Sequence, residues 1–151
     1  MTKKGDMLYA WTSDADIKKH AELGGAVTAL WKYALESKTV DGVLVVTKGA
    51  DLYDAQPVLV TDAKDLVKTA GSLHCGTLLL PKLIKKYLDG AKDIKIGVTV
   101  KGCDAMAFYE LAKRKQINLD NIYMIGVNCG GSVSAVPARK MIADKFGVDP
   151  N

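Results

Sequence analysis

Apolar runs alternate with helical patterns along the chain. Five runs are typical of strands, at residues 7–11, 43–46, 57–61, 94–100 and 121–127. The run from Val43 to Val46 is continuous and rich in β-branched residues, as in strands that are buried on both faces. The polar segment 48–56 joins two of these runs and predicts a hairpin. The first run, Met7 to Trp11, is expected to be the first strand.

Helical spacing separates the strand-like runs. From Val27, apolar residues recur at positions 30, 31, 34 and 35, which predicts a helix that covers one face of the sheet. A short helix capped by Asp62 and longer helices at 78–88, 106–115 and 135–146 follow. Pro81 and Pro137 fall near the beginnings of two of these helices, where proline is tolerated. The order β-α-β-β-α-α-β-α-β-α predicts an α/β layered domain with a mostly parallel sheet flanked by helices.

Composition and charge narrow the class of protein. The chain has 151 residues, of which 48% are hydrophobic and 25% charged, so a single domain spanning residues 1–151 is expected. The formal net charge of +4 favours anionic ligands, and the scattered lysines do not indicate nucleic-acid binding. No apolar segment is long enough for a signal peptide or for the ~20 residues of a membrane span, so a cytoplasmic protein is expected.

Two cysteines follow directly after predicted strands. Cys103 comes after the run 94–100 and Cys129 after the run 121–127, so both are expected at the carboxyl edge of the sheet, where α/β proteins bind ligands. Taken singly, each thiol is more typical of a small buried side chain. Together, flanked by glycines that offer backbone N–H groups, they favour an iron-sulfur site. Zinc is less favoured, because the sequence has no CxxC pair and His74 is the only plausible nitrogen ligand.

Two glycine-containing segments are candidate binding loops. Gly24 and Gly25 precede a helix whose free N–H groups, with Thr28, would suit a phosphate, although a Gly-Gly pair is more often a simple turn. Residues 70–77 form a small-residue loop that contains a serine, a histidine and a cysteine. These residue types occur together in nucleophilic enzymes, but no carboxylate is an evident third member, so a thiol hydrolase is disfavoured.

The ordered motifs resemble those of one family, the beta subunits of the deazaflavin-reducing hydrogenases and formate dehydrogenases of methanogens. The similarity runs through GGAVTALWKYALE, VDGVLVV, TAGSLHC and GCDAMAFYELAKRKQINLDNIYMIGVNCGG, and GSLHC and CDAM are most similar to the formate dehydrogenase branch. The resemblance implies a protein that holds FAD, exchanges hydride with the deazaflavin coenzyme F420 and passes electrons through a [4Fe-4S] cluster. Its expected partner is the catalytic alpha subunit of a formate dehydrogenase or hydrogenase, with a larger electron-transfer complex as the wider assembly.

Through this resemblance, individual residues receive expected roles. The expected FAD contacts are Gly24, Gly25, Val27, Thr28, Gly71, Ser72, Leu73, His74 and Cys75. Cys103 and Cys129 are the expected cluster ligands, and Cys75 is an alternative third ligand by its position, which would still leave the fourth ligand missing. Lys48 and Lys101, at strand ends, are candidates for contact with a phosphate or with the acidic tail of the deazaflavin.

The chain differs from the family pattern in two ways. Family members usually have Pro-Cys where this chain has Gly102 and Cys103, and they extend beyond this length with further cysteines, including a CxxC pair. The chain is therefore expected to be the N-terminal portion of a longer protein, with an incomplete set of cluster ligands. The alternative is a binding module that docks onto a partner oxidoreductase without a complete redox centre.

Overall fold

The computed structural model describes residues 3–50, 54–73 and 78–147, which fold around a four-stranded sheet. The strands are β1 (Gly42–Lys48), β2 (Ala55–Val60), β3 (Ile96–Val100) and β4 (Ile122–Gly126), in the order β2-β1-β3-β4. β3 is parallel to both β1 and β4, whereas β2 is antiparallel to β1. The predicted mostly parallel sheet is confirmed, and so is the hairpin, formed by β1 and β2.

Helices accompany the sheet on both faces. They are α1 (Ala15–His20), α2 (Ala26–Glu36), α3 (Leu80–Tyr87), α4 (Gly102–Lys113) and α5 (Ala135–Phe146). The predicted helices after Val27, at 78–88 and at 135–146 are confirmed, and Pro81 lies in the first turn of α3. The short helix predicted after Asp62 is a 3-10 turn at Asp65–Thr69. Among the described residues, no helix has both the length and the apolar composition required to cross a membrane.

The structure corrects the expectation at the start of the chain. Met7 to Trp11 is not a strand: within the described residues this segment has no strand pairing, and Met7 and Tyr9 are almost entirely in solvent. An apolar run becomes a strand only when a neighbouring strand satisfies its backbone groups and its side chains reach a core, and this run gains neither. The polar stretch that follows forms α1 instead, with Ile17 as its buried residue.

Successive residues of β1 contribute to two cores on opposite faces of the sheet. On one face, α2 packs Trp31 into a cluster that includes Val43. On the other face, α3 and α4 pack Ile84 and Phe108 into a cluster that includes Leu44. Val43 and Leu44 are neighbours, as the alternation of side chains along a strand requires. Fully burying a side chain of this size stabilises the fold by about 1.5–3 kcal/mol. The two cores therefore hold the helices against the sheet and keep the elements at the carboxyl edge of the sheet in place.

Asp14 joins α1 to α2. Its Oδ1 accepts hydrogen bonds from the N–H groups of Asp16 (3.0 Å) and Ile17 (3.1 Å) and so caps α1. Its Oδ2 accepts a hydrogen bond from Lys32 Nζ on α2 at 2.6 Å. The bond from Lys32, followed by the bond from the Ile17 N–H, holds the pKa of Asp14 below its ordinary value. Asp14 thereby fixes the two helices on either side of the Gly24-Gly25 turn.

Replacing Asp14 with asparagine should remove this ion pair while keeping a capping oxygen. Because the folded-state pKa lies below the unfolded value of about 3.9, the carboxylate stabilises the fold above that pH and ceases to do so as the pH falls through the folded-state pKa. We therefore expect a lower urea midpoint for Asp14→Asn near neutral pH, and no difference from the wild type in strong acid. Urea unfolding followed by circular dichroism, at neutral pH and in strong acid, measures the midpoints of the variant and the wild type.

Asp65→Asn is the matched control for this comparison. It removes an ion pair with Lys68 at 2.7 Å in which both side chains are well exposed, and such pairs contribute little to stability. An equal loss in both variants, or a loss in Asp14→Asn that persists in acid, would contradict the role given to the Asp14–Lys32 pair.

Candidate functional site

A cleft opens at the carboxyl edge of the sheet. Its volume is about 580 Å³, within the range of small-molecule and cofactor sites. Its walls come from the first turn of α2, the middle of β1, the end of β3, the segment 69–73 and the loop 127–132 after β4. Eight residues predicted from the sequence line it: Gly25, Val27, Thr28, Gly71, Ser72, Leu73, Lys101 and Cys129. The structure therefore brings most of the expected site residues to one place.

The first turn of α2 lines this cleft through residues 26–28. Gly24 and Gly25 have φ values of +75° and +70°, which turn the chain sharply into the helix. N–H groups in a first helical turn have no intrahelical acceptor, and Gly25, as the N-cap, has no side chain to accept from them. These donors and the positive end of the helix dipole suit an anionic group of a ligand.

Packing also explains the two glycines. A Cβ at Gly25 would lie 2.7 Å from Ile17 Cγ2 and 3.1 Å from Thr12 Cγ2, so α1 could not pack against this turn. A Cβ at Gly24 would lie 3.2 Å from the Cβ of Trp11, and Gly24 does not line the cleft. Substitution of Gly25 would disturb the fold whether or not a ligand binds, so binding is better tested at Thr28.

The segment before α3 forms another part of the wall. Gly71 has a φ of +119°, and a Cβ there would lie 3.3 Å from the carbonyl oxygen of His20. Ser72 is exposed and Leu73 is half-buried, so this segment offers the cleft one hydroxyl group and one apolar side chain. His74 and Cys75, the other expected FAD contacts in this loop, lie outside the described residues.

Trp31 and Thr99 form a part of the wall that the sequence pattern did not indicate. The indole N–H of Trp31 donates to Thr99 Oγ1 at 2.9 Å, and the tryptophan is only 4% exposed. Its ring lies over Gly97 of β3, where a Cβ would come within 2.5 Å of Trp31 Cζ3. In the sequence, Trp31 is one apolar residue of a helical pattern, and only the packing of α2 on β3 brings it to the cleft.

Lys101 is the only lysine or arginine among the described residues that line the cleft. Its Nζ lies 2.7 Å from Oδ2 of Asp104, and its backbone N–H donates to the same oxygen at 3.2 Å. Asp104 is fully buried in the first turn of α4, which begins at Gly102 rather than at the predicted Met106. Asp104 was not identified from the sequence. The signal that could have indicated its role is an acidic residue at the third position of a helix, because such residues bind free N–H groups of the first turn.

Lys48, the other predicted lysine, is not part of this arrangement. It is exposed at the end of β1, beside the hairpin partner Ala55, and it does not line the cleft. The end of β1 lies at the turn to the antiparallel β2, so its last residue has different surroundings from the ends of β3 and β4.

Cys103 and Cys129 both follow carboxyl ends of parallel strands, as predicted, and both are exposed. Cys103 lies in the first turn of α4 and does not line the cleft, whereas Cys129 does. The Cys129 thiol donates to the Gly131 carbonyl oxygen at a Sγ to O distance of 3.8 Å. Within residues 3–50, 54–73 and 78–147, no three or more histidine, cysteine or acidic side chains are grouped so that they could hold a metal ion.

Both parts of the chain match one known protein family, the beta subunits described as coenzyme F420 hydrogenase/dehydrogenase. Residues 7–85 match the N-terminal region of this family. Residues 93–151 match its C-terminal region. The sheet joins the two matched regions, because β1 lies in the first and pairs with β3 in the second.

Curated relatives extend the comparison to whole proteins. The chain is 54% identical over 145 residues to F420-dependent formate dehydrogenase 1 subunit beta of Methanococcus maripaludis, covering 96% of this chain and 37% of the relative. It is 55% identical over 138 residues to F420-dependent formate dehydrogenase subunit beta of Methanocaldococcus jannaschii, covering 91% of this chain and 36% of the relative. The chain thus spans little more than a third of the length of these relatives.

A solved structure has the same fold. A chain of the F420-reducing [NiFe] hydrogenase complex from Methanosarcina barkeri, studied with xenon, superposes with a TM-score of 0.71 and 25% sequence identity. The match covers 91% of this chain and 48% of that chain.

Proposed function

This chain belongs to the coenzyme F420 hydrogenase/dehydrogenase beta-subunit family, and on that premise we propose that it is the flavin-binding, electron-transfer part of such a protein. In the proposed activity, hydride passes between coenzyme F420 and FAD, and electrons pass through a [4Fe-4S] cluster to or from a catalytic alpha subunit. A formate dehydrogenase is favoured as the enzyme served, because the relatives at 54% and 55% identity carry that name. The single flavin-binding domain predicted for residues 1–151 is part of this proposal.

The cleft at the carboxyl edge of the sheet is the observation that carries the flavin proposal. It combines apolar side chains such as Val46 and Leu73 with the first-turn N–H groups of α2 and the ammonium group of Lys101. A planar ring system with apolar faces, joined to a pyrophosphate, has the chemistry that suits this combination. The hydroxyl groups of Thr28 and Ser72 add hydrogen-bond donors. The described residues therefore fit FAD.

The chain's own residues would bind and orient the flavin nucleotide. FAD, when bound, would supply the conversion between two-electron hydride transfer and single-electron transfer. The first turn of α2 and Thr28 would bind phosphate oxygens, and Leu73 would exclude water from the ring. Trp31, held by its hydrogen bond to Thr99, gives the cleft a fixed aromatic wall.

The [4Fe-4S] cluster does not fit the described residues alone. Such clusters are ordinarily held by four cysteine thiolates, whereas Cys103 and Cys129 are the only cysteines in the part of the chain that the structure describes. In this proposal, each of these two cysteines supplies one ligand of the cluster, and the remaining thiolates come from outside the described residues.

Titrating FAD into the purified chain tests the proposal. We expect saturable binding, seen as a change in flavin fluorescence. The double variant Thr28→Val/Ser72→Ala should bind FAD about tenfold more weakly, because it loses two hydrogen bonds of roughly 0.5–1.5 kcal/mol each. Circular dichroism of the variant checks that the fold is retained.

The double variant Ser37→Ala/Thr39→Val is the matched control. It removes the same two hydroxyl types beyond the other end of α2, where they bond to each other at 2.9 Å and do not line the cleft. Unchanged FAD affinity in this control, with a loss in Thr28→Val/Ser72→Ala, supports the cleft as the flavin site. Equal FAD affinities of the two double variants would indicate that the flavin binds outside this cleft. No FAD binding by the wild-type chain would favour the binding module without a complete redox centre.

A further inference from the structure

We infer that Asp104 is a positioning residue that holds Lys101 at the wall of the cleft, where the Lys101 ammonium group contacts a phosphate of the flavin nucleotide. The inference rests on the proposed flavin binding and adds to it a residue that touches the ligand only through another. Three observations carry it: the burial of Asp104, its two contacts with Lys101, and the place of Lys101 in the cleft.

The burial of Asp104 is unusual for a carboxylate. Its side chain is 1% exposed, and within the described residues Oδ2 accepts one hydrogen bond and forms one ion pair, while Oδ1 accepts no hydrogen bond. Burying a carboxylate is costly unless its oxygens are fully paired, so an incompletely paired one is poorly explained by stability. A buried polar group of this kind calls for a specific reason.

The contacts of Asp104 supply such a reason. Oδ2 binds the backbone N–H of Lys101 at 3.2 Å and its Nζ at 2.7 Å, so one oxygen fixes both ends of the same residue. A lysine side chain has large conformational freedom, and holding it in place beforehand reduces the entropy lost when a ligand binds. Asp104 therefore presents the ammonium group in a set position between β3 and α4.

The position of Lys101 indicates a phosphate as its contact. Its side chain is 24% exposed and lines the cleft together with the first turn of α2, whose N–H groups also suit an anion. An ammonium group has three N–H donors, and the ion pair with the single oxygen Asp104 Oδ2 engages at most one of them. The others remain for phosphate oxygens, for which lysine is a common partner.

The test compares FAD with riboflavin, which has the same ring but no phosphate. Asp104→Asn keeps an oxygen for the Lys101 N–H but loses the ion pair, and we expect FAD to bind about threefold to tenfold more weakly. The double variant Lys101→Met/Asp104→Asn removes both charges and should weaken FAD binding by about tenfold or more. Riboflavin affinity should be unchanged in both variants.

Glu110→Gln is the matched control, because Glu110 and Lys113 form a pair of the same spacing on the same helix, at 2.8 Å but with both side chains exposed. This variant should bind FAD and riboflavin as the wild type does. If circular dichroism shows that Asp104→Asn does not fold, the FAD and riboflavin affinities of the double variant replace those of Asp104→Asn. The double variant leaves no unpaired buried charge.

The outcomes separate this inference from the proposed function. Wild-type FAD affinity in a folded Asp104→Asn protein would overturn the positioning role alone. Equal losses for FAD and riboflavin would overturn the phosphate contact and leave Asp104 with a structural role. A wild-type chain that binds neither compound would overturn the proposed flavin binding and this inference together.

Discussion

Replacing Gly97 with alanine should lower the free energy of unfolding by about 1–3 kcal/mol, the usual cost of forcing an extra methyl group into a packed core, and should also weaken flavin binding. The new Cβ would lie 2.5 Å from Cζ3 and 2.8 Å from Cε3 of Trp31. Trp31 is only 4% exposed and donates a hydrogen bond to Thr99, so its ring cannot move without losing packing and that bond. Because Trp31 and Thr99 line the cleft, both measurements should change together.

Gly126→Ala is the matched control for Gly97→Ala. Gly126 is also a strand glycine, in β4, but a Cβ there would have no neighbour within 4 Å. Urea unfolding followed by circular dichroism measures the stability of both variants, and FAD titration measures their affinity for the flavin. The loss in Gly97→Ala should shrink in a Trp31→Phe background, where the smaller ring leaves room. Equal stability of the two alanine variants would contradict the packing of Trp31 on Gly97.

Most of the fold could be predicted because its strands carry local signals. The run from Val43 to Val46 and the run 94–100 are apolar, short and bounded by polar residues or glycine. Met7 to Trp11 has the same apolar character and is not a strand, because strand formation needs a partner that no local pattern records. In α1, Ile17 is the one buried residue and gives no helical period. The helix depends instead on the cap at Asp14 and on the ion pair of Asp14 with the distant Lys32.

The site could be predicted in part for a topological reason. Parallel strands end at one edge, so residues after β3 and β4 were expected together, and Lys101 and Cys129 do line one cleft. Trp31 and Asp104 could not be assigned in this way. The place of Trp31 depends on α2 crossing Gly97, and the burial of Asp104 depends on how α4 packs, and both are contacts between distant parts of the sequence.

The 151-residue chain, reconstituted anaerobically with iron and sulfide, should hold little or no stable [4Fe-4S] cluster. The chain has three cysteines, whereas four thiolates ordinarily hold such a cluster. The cysteines of the described residues are exposed, and neither belongs to a group of three or more metal-binding side chains there. A longer protein that also contains the remaining length of the relatives should hold the cluster, because the resemblance implies further cysteines in that region. Iron analysis and electron paramagnetic resonance of the reduced proteins measure the difference.

In that longer protein, Cys103→Ser and Cys129→Ser should each abolish or severely disturb the cluster signal, because each removes one of the four thiolates. Cys75→Ser is the matched control: as an expected flavin contact, Cys75 should be replaceable with the cluster signal intact. Flavin absorption in all three variants shows whether the fold and the FAD site are retained. A normal signal that survives both the Cys103 and the Cys129 replacement would exclude these thiols as ligands and make them ordinary surface cysteines. A complete cluster in the 151-residue chain would show instead that no ligand is missing from it.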